Sequence, residues 1–325
     1  MADLTQVLRV LSDGRFHSGE ELARSLGCSR SAVWKHIRQL REHIDIHAVN
    51  GRGYRLQVPI ELLDRELILD AVAPPQRDRL AACKVLDVVQ STNDLAMLAA
   101  EDRPRDPMAW FAETQTGGRG RRGRTWHSPY ARNLYFSFLY PFDMPMLRLA
   151  GLSIAVGVEL AGLLAELGLQ GHGLKWPNDL HWDGRKLAGI LIEATGETEG
   201  PAYAVIGVGI NLDLGDLPDW LDQPVASLSE TGIEISRNRL AATLLERMLD
   251  MCKRYEARGL EPFVQRWAEY DLYRDRAVRL SGPGLQQEGI ARGVCVDGGL
   301  RLEVDGVERV FYAGEVSLRS GGADA

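Results

Sequence analysis

From residue 117 the chain reads Gly-Gly-Arg-Gly-Arg-Arg-Gly-Arg-Thr-Trp, four glycines interleaved with four arginines and no acid. So many glycines disfavour both helix and strand. The chemistry this offers is anion binding. Glycine lets backbone N–H groups come close, and guanidinium forks match a phosphate or carboxylate. Strand-like runs on both sides, 110–114 and 133–140, set the stretch inside a folded domain as a mobile loop, not in a solvated charged tail.

Three further polar groups lie at element boundaries. Gln90-Ser91-Thr92-Asn93-Asp94 follows a β-rich run, 84–89, and precedes Leu95, Leu98 and Ala99 at helical spacing. Ser91, Thr92 or Asn93 reads first as a helix N-cap. The same strand-to-helix setting also aims free N–H groups at a bound anion or ureido group. Lys175-Trp176-Pro177-Asn178-Asp179 reads as a strand entering a tight turn, and Asp183-Gly184 makes a second turn before the strand 185–193. Lys186 then sits at a strand mouth, across a hairpin from a carboxamide and a carboxylate, and Gly189 leaves room for a ligand against the strand. Gly207, Gly209 and Asn211 fall on one face of the strand 204–212, and bare glycines there call for a ligand or a core element to pack on them.

These groups need a frame. The 325 residues are 45% hydrophobic and 26% charged, which suits two or three globular domains with a sizeable core. The longest apolar run, 149–158, is cut by Glu159, so no membrane span is expected, nor is a signal peptide. Cys28, Cys83, Cys252 and Cys295 lie far apart without paired metal-ligand spacing and read as free thiols of a reducing cytoplasm. The net charge of −7 is uneven: residues 1–60 hold nine Lys/Arg and six Asp/Glu, leaving the acidity to the remainder. A basic module on an acidic protein directs nucleic acid to the N-terminal end.

That module reads as three helices and a hairpin. Leu4, Val7, Leu8 and Leu11 recur at helical spacing; Ser18-Gly19-Glu20-Glu21 forms a capping box; Gly27 makes a turn; Ser29 caps a helix that buries Val33, Ile37 and Leu40. Arg30, Ser31, Trp34, Lys35 and Arg38 then look outward, and Asn50-Gly51-Arg52-Gly53 turns a hairpin. This is the pattern of a winged helix-turn-helix whose Arg52 touches DNA phosphate. Trp34 either reads a thymine methyl or packs on the wing. A short linking helix is expected over 60–69, broken by Pro74-Pro75. Farther on, Leu152, Val156, Leu160, Leu163, Leu164 and Leu167 trace one face of an amphipathic helix. Helices are expected at 240–249 and 263–270, and short strands with glycine turns after Asp275.

In order along the chain, Ser91-Thr92-Asn93, Gly118-Arg119-Gly120-Arg121-Arg122-Gly123-Arg124, Lys175-Trp176-Pro177-Asn178-Asp179, Arg185-Lys186-Leu187-Ala188-Gly189-Ile190-Leu191 and Gly207-Val208-Gly209-Ile210-Asn211 resemble biotin protein ligases. Each motif alone is weak; five in register are specific, and the match spans essentially the whole chain. With the basic module in front, the chain resembles the bifunctional type, in which the ligase also represses the biotin operon. The resemblance implies an α+β protein of three units. These are a winged helix-turn-helix over 1–60, a class II synthetase-like mixed sheet with helices over 64–272, and a small SH3-like β-barrel over 273–325. It implies that biotin and ATP form biotinyl-5′-adenylate, with Mg²⁺ on the triphosphate, and that biotin passes to a lysine of the carrier domain of acetyl-CoA carboxylase.

By motif match, Ser91, Thr92, Asn93, Gln115, Arg119, Gly120, Arg121, Lys186 and Gly189 would meet biotin or its adenylate, and Trp126, Asn178 and Asn211 the nucleotide. Arg119, Arg121 and Lys186 would offset the repulsion between carboxylate and phosphate. Asp179 would orient the acceptor lysine. The segment 213–228 departs from the family pattern, with Trp220 as its candidate aromatic lid, and Arg319 is a candidate phosphate contact. Operator DNA and a second copy of the chain are the other implied partners, in the cytoplasm, with no membrane. A lipoate–protein ligase is disfavoured by the DNA module and by Arg185-Lys186-Leu187-Ala188-Gly189. A biotin-sensing transcription factor without catalysis is disfavoured by the intact arginine loop and Lys186.

Overall fold

A computed structural model describes residues 4–41, 44–197, 199–215, 217–221, 223–282, 284–312 and 317–320. The N-terminal module comprises α1 (Leu4–Leu11), α2 (Gly19–Ser25), α3 (Arg30–Leu40), β1 (Ile46–Val49) and β2 (Gly53–Leu56). Its boundaries follow from local chemistry. Ser18 Oγ accepts from Glu21 N–H at 3.1 Å while Glu21 accepts from Ser18 N–H at 2.8 Å, so two free donors of α2 are satisfied at once. Ser29 caps α3 through Ala32 N–H. Val7, Leu8, Leu11, Leu22, Val33, Ile37, Leu40, Ile46 and Leu56 close a separate small core. Gly53 is required at the wing's root: its φ is +100°, and a Cβ there would lie 2.0 Å from the His17 carbonyl oxygen.

The linking helix is shorter than expected. α4 (Arg65–Ala71) begins only after Asp64, whose carboxylate caps it by accepting from Glu66 and Leu67 N–H. Pro74-Pro75 does not simply end it but opens α5 (Pro74–Arg77), since the first helical turn needs no N–H there.

The central unit follows as β3 (Ala82–Val89), α6 (Thr92–Glu101), β4 (Met108–Gln115), β5 (Leu134–Phe142), α7 (Leu152–Glu166), β6 (His172–Lys175), β7 (Asp179–Trp182), β8 (Arg185–Gly196), β9 (Ala202–Ile210), α8 (Arg237–Arg258) and α9 (Glu261–Tyr270). The sheet is mixed, in the order β3-β4-β5-β9-β8-β7-β6, with only the β3–β4 pair parallel. β5 carries Leu134, Tyr135, Phe136, Phe138 and Leu139, all buried, with one serine among them, Ser137.

The segment Met146–Glu166, which contains α7, is long and apolar enough by composition to cross a membrane, yet 78% of its apolar window is buried inside the protein. It is not amphipathic as its leucine spacing predicted. It is buried on nearly every side, because α8 and α9 cover the face turned away from the sheet. Glu159, buried on this helix, is held by Arg254 at 2.7 Å, Arg266 at 3.1 Å and Arg247 at 3.4 Å.

The C-terminal part adds β10 (Ala277–Gly282), β11 (Leu285–Val294), β12 (Leu300–Val304), β13 (Val307–Phe311) and β14 (Ser317–Ser320), an antiparallel sheet in the order β13-β12-β11-β10-β14. Its inward residues, from Val278 to Val304, share one continuous core with the central unit. The side chain of Arg319 lies outside the described residues.

Candidate active site

Several expected binding groups meet in one cleft over β8 and β9. Its lining includes all nine residues expected near biotin, together with Trp126, Asn178, Tyr135, Phe136 and Gly207 to Gly209. The glycines make the room. A Cβ on Gly207 would lie 2.4 Å from Asn93 Oδ1, one on Gly209 2.5 Å from the Trp126 ring, and one on Gly189 2.7 Å from the same ring. What packs on the bare sheet face is therefore the Asn93 amide and the Trp126 indole.

The first wall is the start of α6. Ser91 sits at the N-cap position but makes no side-chain cap bond, so the capping reading is overturned. A side chain from β4 does that work: Gln115 Oε1 accepts from Thr92 N–H at 2.9 Å and from Thr92 Oγ1 at 3.1 Å. Ser137 donates within reach of both Thr92 Oγ1 (2.7 Å) and Asn93 Oδ1 (2.5 Å), and Asn93 Nδ2 donates to Glu193 at 2.8 Å. Ser91, Thr92 and Asn93 are 3 to 4% exposed, a high burial for polar side chains that fixes their orientation.

The arginine loop forms the second wall. It folds on itself: Gly120 N–H donates to Arg124 C=O at 2.7 Å, Trp126 N–H to Gly118 C=O at 2.9 Å, and the Arg119 backbone bridges Thr125. Gly118 is confined, because a Cβ would lie 2.8 Å from both Ser128 Oγ and the Trp126 carbonyl. Arg121 reaches inward to Asn178 Oδ1 at 3.1 Å, and Asn178 Nδ2 donates to Ile190 C=O at 2.7 Å. Burial pulls the Arg121 guanidinium below its ordinary value, against the opposing pull of Asp179. Arg119 points elsewhere, to Glu193 and Asp94 at 2.6 to 3.0 Å.

Lys186 and Asp179 close the far end. Their charges lie 2.8 Å apart with side chains 12% and 18% exposed, and the ammonium is also 5.3 Å from the Trp126 ring centroid. Asp179, expected to orient an acceptor lysine, is engaged with Lys186 and is not among the cleft-lining residues. His181 follows on the same face of β7; burial pushes its imidazole down to about 4, with Lys175 adding to the effect. Trp176 ties this turn to the C-terminal sheet by donating to Gly298 C=O at 3.1 Å.

Asn211, expected beside the nucleotide, lies past the end of β9 and is 4% exposed. Its amide donates to Lys186 C=O and Ala226 C=O, so it braces the strand mouth from behind. Trp220 is exposed, edge-on to His127 at 6.1 Å, and does not line the cleft. Among the described residues no cluster of three His, Cys, Asp or Glu side chains could hold a metal ion by itself.

Ser137, Ser128, Asp94 and Glu193 belong to the site's network and were not anticipated. A lone serine inside the aromatic strand Leu134–Phe142 was the one visible signal. At the N-terminal module, Arg30, Ser31, Trp34, Lys35, Arg38 and Arg52 are all exposed. Trp34 is 55% exposed with Arg38 over its ring at 5.5 Å, which decides against packing on the wing.

The helix-turn-helix family model (HTH domain) matches residues 3–55, and the Biotin/lipoate A/B protein ligase family model matches residues 85–211. The chain is 41% identical to the Bifunctional ligase/repressor BirA of Salmonella typhimurium, covering 97% of each chain. It is 34% identical to the Biotin–[acetyl-CoA-carboxylase] ligase of Mycobacterium tuberculosis, over 76% of this chain and 97% of that one. The solved biotin protein ligase from Aquifex aeolicus in complex with biotin and ATP superposes with a TM-score of 0.63 at 26% identity, covering 74% of this chain and all of the other.

Proposed function

This chain belongs to the bifunctional biotin ligase/repressor family, and from that premise we propose how its own residues carry both activities. It is a biotin–protein ligase that takes biotin and ATP as substrates, joined to a DNA-binding repressor module. The acceptor is a lysine of the biotin carboxyl carrier protein, and the location is the cytoplasm. The units are 1–60, 64–272 and 273–325.

The single observation that carries the catalytic reading is one cleft that pairs a glycine floor with two inward cations of restricted exposure. Two anions, the biotin carboxylate and the α-phosphate, must be held in reach of each other. Arg121 and Lys186 offset their repulsion and the charge that grows as the carboxylate oxygen attacks phosphorus and pyrophosphate leaves. Thr92, Asn93 and Gln115 supply the hydrogen bonds for a buried ureido group, with Ser91 and Gly120 shaping its end. Gly189 and Trp126 form the floor under the nucleotide side, and Asn178 holds Arg121 in place. Asn211 acts at one remove, by bracing the Lys186 backbone. Asp179 orients Lys186 through their 2.8 Å ion pair, and shares that carboxylate with an incoming acceptor lysine.

Mg²⁺ enters on the triphosphate, which suits an ion that keeps phosphate and water ligands and needs no protein cage. Arg30, Ser31, Trp34, Lys35 and Arg38 meet the major groove and Arg52 the backbone of operator DNA. The repressor acts as a homodimer, favoured when adenylate accumulates.

Incubation with ATP, Mg²⁺, carrier domain and either biotin or lipoate, followed by intact mass measurement of the carrier, tests the ligase. A biotin-sized increment is expected. Its initial rate should fall about 100- to 1000-fold in Lys186→Ala and in Arg121→Ala, as when a preorganised charge partner is removed from a dry site. A lipoyl increment, or none with either acid, overturns the assignment.

A further inference from the structure

We propose that Asp94 and Glu193 are positioning residues that make Arg119 a strap, holding the arginine loop down over the adenylate instead of meeting the charge of the reacting groups. The inference rests on the ligase reading above. Its first ground is where the Arg119 guanidinium points. Nη1 donates to Glu193 Oε1 at 3.0 Å, and Nη2 to Glu193 Oε2 at 3.0 Å and to Asp94 Oδ1 at 2.6 Å. That two-point fork on Glu193 uses the geometry in which guanidinium and carboxylate bind best. Two carboxylates share one guanidinium, so this corner carries no surplus positive charge for a phosphate. Asp179, by contrast, pairs with Lys186 at 2.8 Å and also pulls on the Arg121 charge.

The second ground is the anchor. Glu193 also accepts from Asn93 Nδ2 at 2.8 Å, and Ser137 holds Asn93 at 2.5 Å. Ser137 is fully buried in β5, so the chain Ser137–Asn93–Glu193–Arg119 runs from the sheet interior to the loop. At the loop end, Arg119 bridges Thr125, the residue before Trp126. Fixing Arg119 therefore also fixes the backbone that carries Arg121 and Trp126.

The third ground is position. Arg119 lines both the substrate cleft and an outer groove formed by Asp94, Leu98, Glu101, Glu197 and Tyr203, and so stands as the partition between them. Asp94 and Glu193 face only the outer side of that partition. Half-exposed ion pairs are individually weak and are screened by salt, as a strap that must open on every turnover requires.

The test uses the full-length protein loaded with adenylate from biotin and ATP, with pyrophosphatase present and no carrier. Release of biotinyl-adenylate is followed by chase with excess unlabelled biotin, and adenylate formation by single turnover. Asp94→Asn should speed release roughly two- to fivefold, the worth of one exposed ion pair. Asp94→Glu, which keeps the charge, should return most of the effect. Salt should accelerate release in the wild type, and less so in Asp94→Asn. On an Arg119→Ala background, Asp94→Asn should add nothing. If Arg119 instead meets the charge of the ligand, Asp94→Asn frees the guanidinium, and faster adenylate formation or slower release overturns the strap. Additive effects of the two substitutions overturn it as well. A wild-type protein that forms no adenylate from biotin would fail the ligase reading itself, a result distinct from either.

Discussion

Asn50-Gly51-Arg52-Gly53 and Gly117 to Arg124 are both turns in which glycine alternates with arginine, and they send their guanidinium groups in opposite directions. In the wing, Arg52 and Arg55 lie 4.4 and 4.8 Å from the centroid of the Phe16 ring, with Arg52 exposed. In the catalytic loop, Arg121 turns inward to Asn178, and Arg119 is tied to Glu193 and Asp94. The same local composition thus serves two electrostatic regimes. The wing offers a screened surface charge, steadied by an aromatic ring, to a polyanion that many weak contacts will hold. The cleft offers few charges, desolvated and individually braced, to one small ligand. What separates the two is the company: a short two-stranded hairpin under the wing, and a seven-stranded sheet with buried polar side chains beneath the loop.

The largest expected effect attacks the buried support on which the cleft rests. Arg237 and Glu113, 7% and 3% exposed, pair at 2.8 Å beneath the linker, where Glu113 Oε1 also takes the Leu63 N–H. Burial raises the Glu113 carboxyl above its ordinary value, and Arg237 opposes that shift. Glu113→Ala leaves a guanidinium buried without its charge partner and should cost about 3–5 kcal/mol in urea unfolding followed by tryptophan fluorescence. Nothing at the wing should lose as much, since no wing arginine has a buried ionic partner among the described residues.

A smaller effect separates the regions by pH. His181, beside Lys175, Asp179 and Lys186, has its value lowered from 6.5 to about 4. Between those values the unfolded chain binds a proton that the folded chain excludes. Stability therefore falls as pH drops from 6.5 towards about 4 and does not depend on this group above 6.5. His181→Gln should remove roughly 3 kcal/mol of that acid loss, read from urea midpoints across the range.

The smallest effect is the sharpest comparison. Arg52→Ala should lower the slope of log affinity for operator DNA against log salt by about one, with little change in adenylate formation. Arg121→Ala in the ligand-free protein should leave that slope unaltered. A slope that falls equally in both would show that the two turns share one polyanion.

Much of this was legible from residues close in sequence. The helices of the N-terminal module, their caps at Ser18 and Ser29, the buried set Val33, Ile37 and Leu40, and the wing turn all follow from contacts spanning a few positions. The cleft residues were legible as chemical types, and the structure gathers all nine expected near biotin around one cleft. Their partners were not legible. No spacing shows that Gln115, and not Ser91, takes the first N–H of α6, or that the Asn211 amide donates to the Lys186 and Ala226 carbonyls. Nor does α7's leucine spacing reveal that other helices cover its far side.

By itself the sequence determined which residues could bind an anion, and where helices and turns begin. A capping box closes over three positions, and its geometry is carried by the local backbone. Tertiary structure decided the direction each group faces. Arg119 meets Glu193 across 74 positions and Asp94 across 25, Asn93 meets Glu193 across 100, and Ser137 meets Asn93 across 44. Contacts of that span exist only once β5, β8 and β9 lie side by side, because the sheet brings them together and no local spacing encodes the partner.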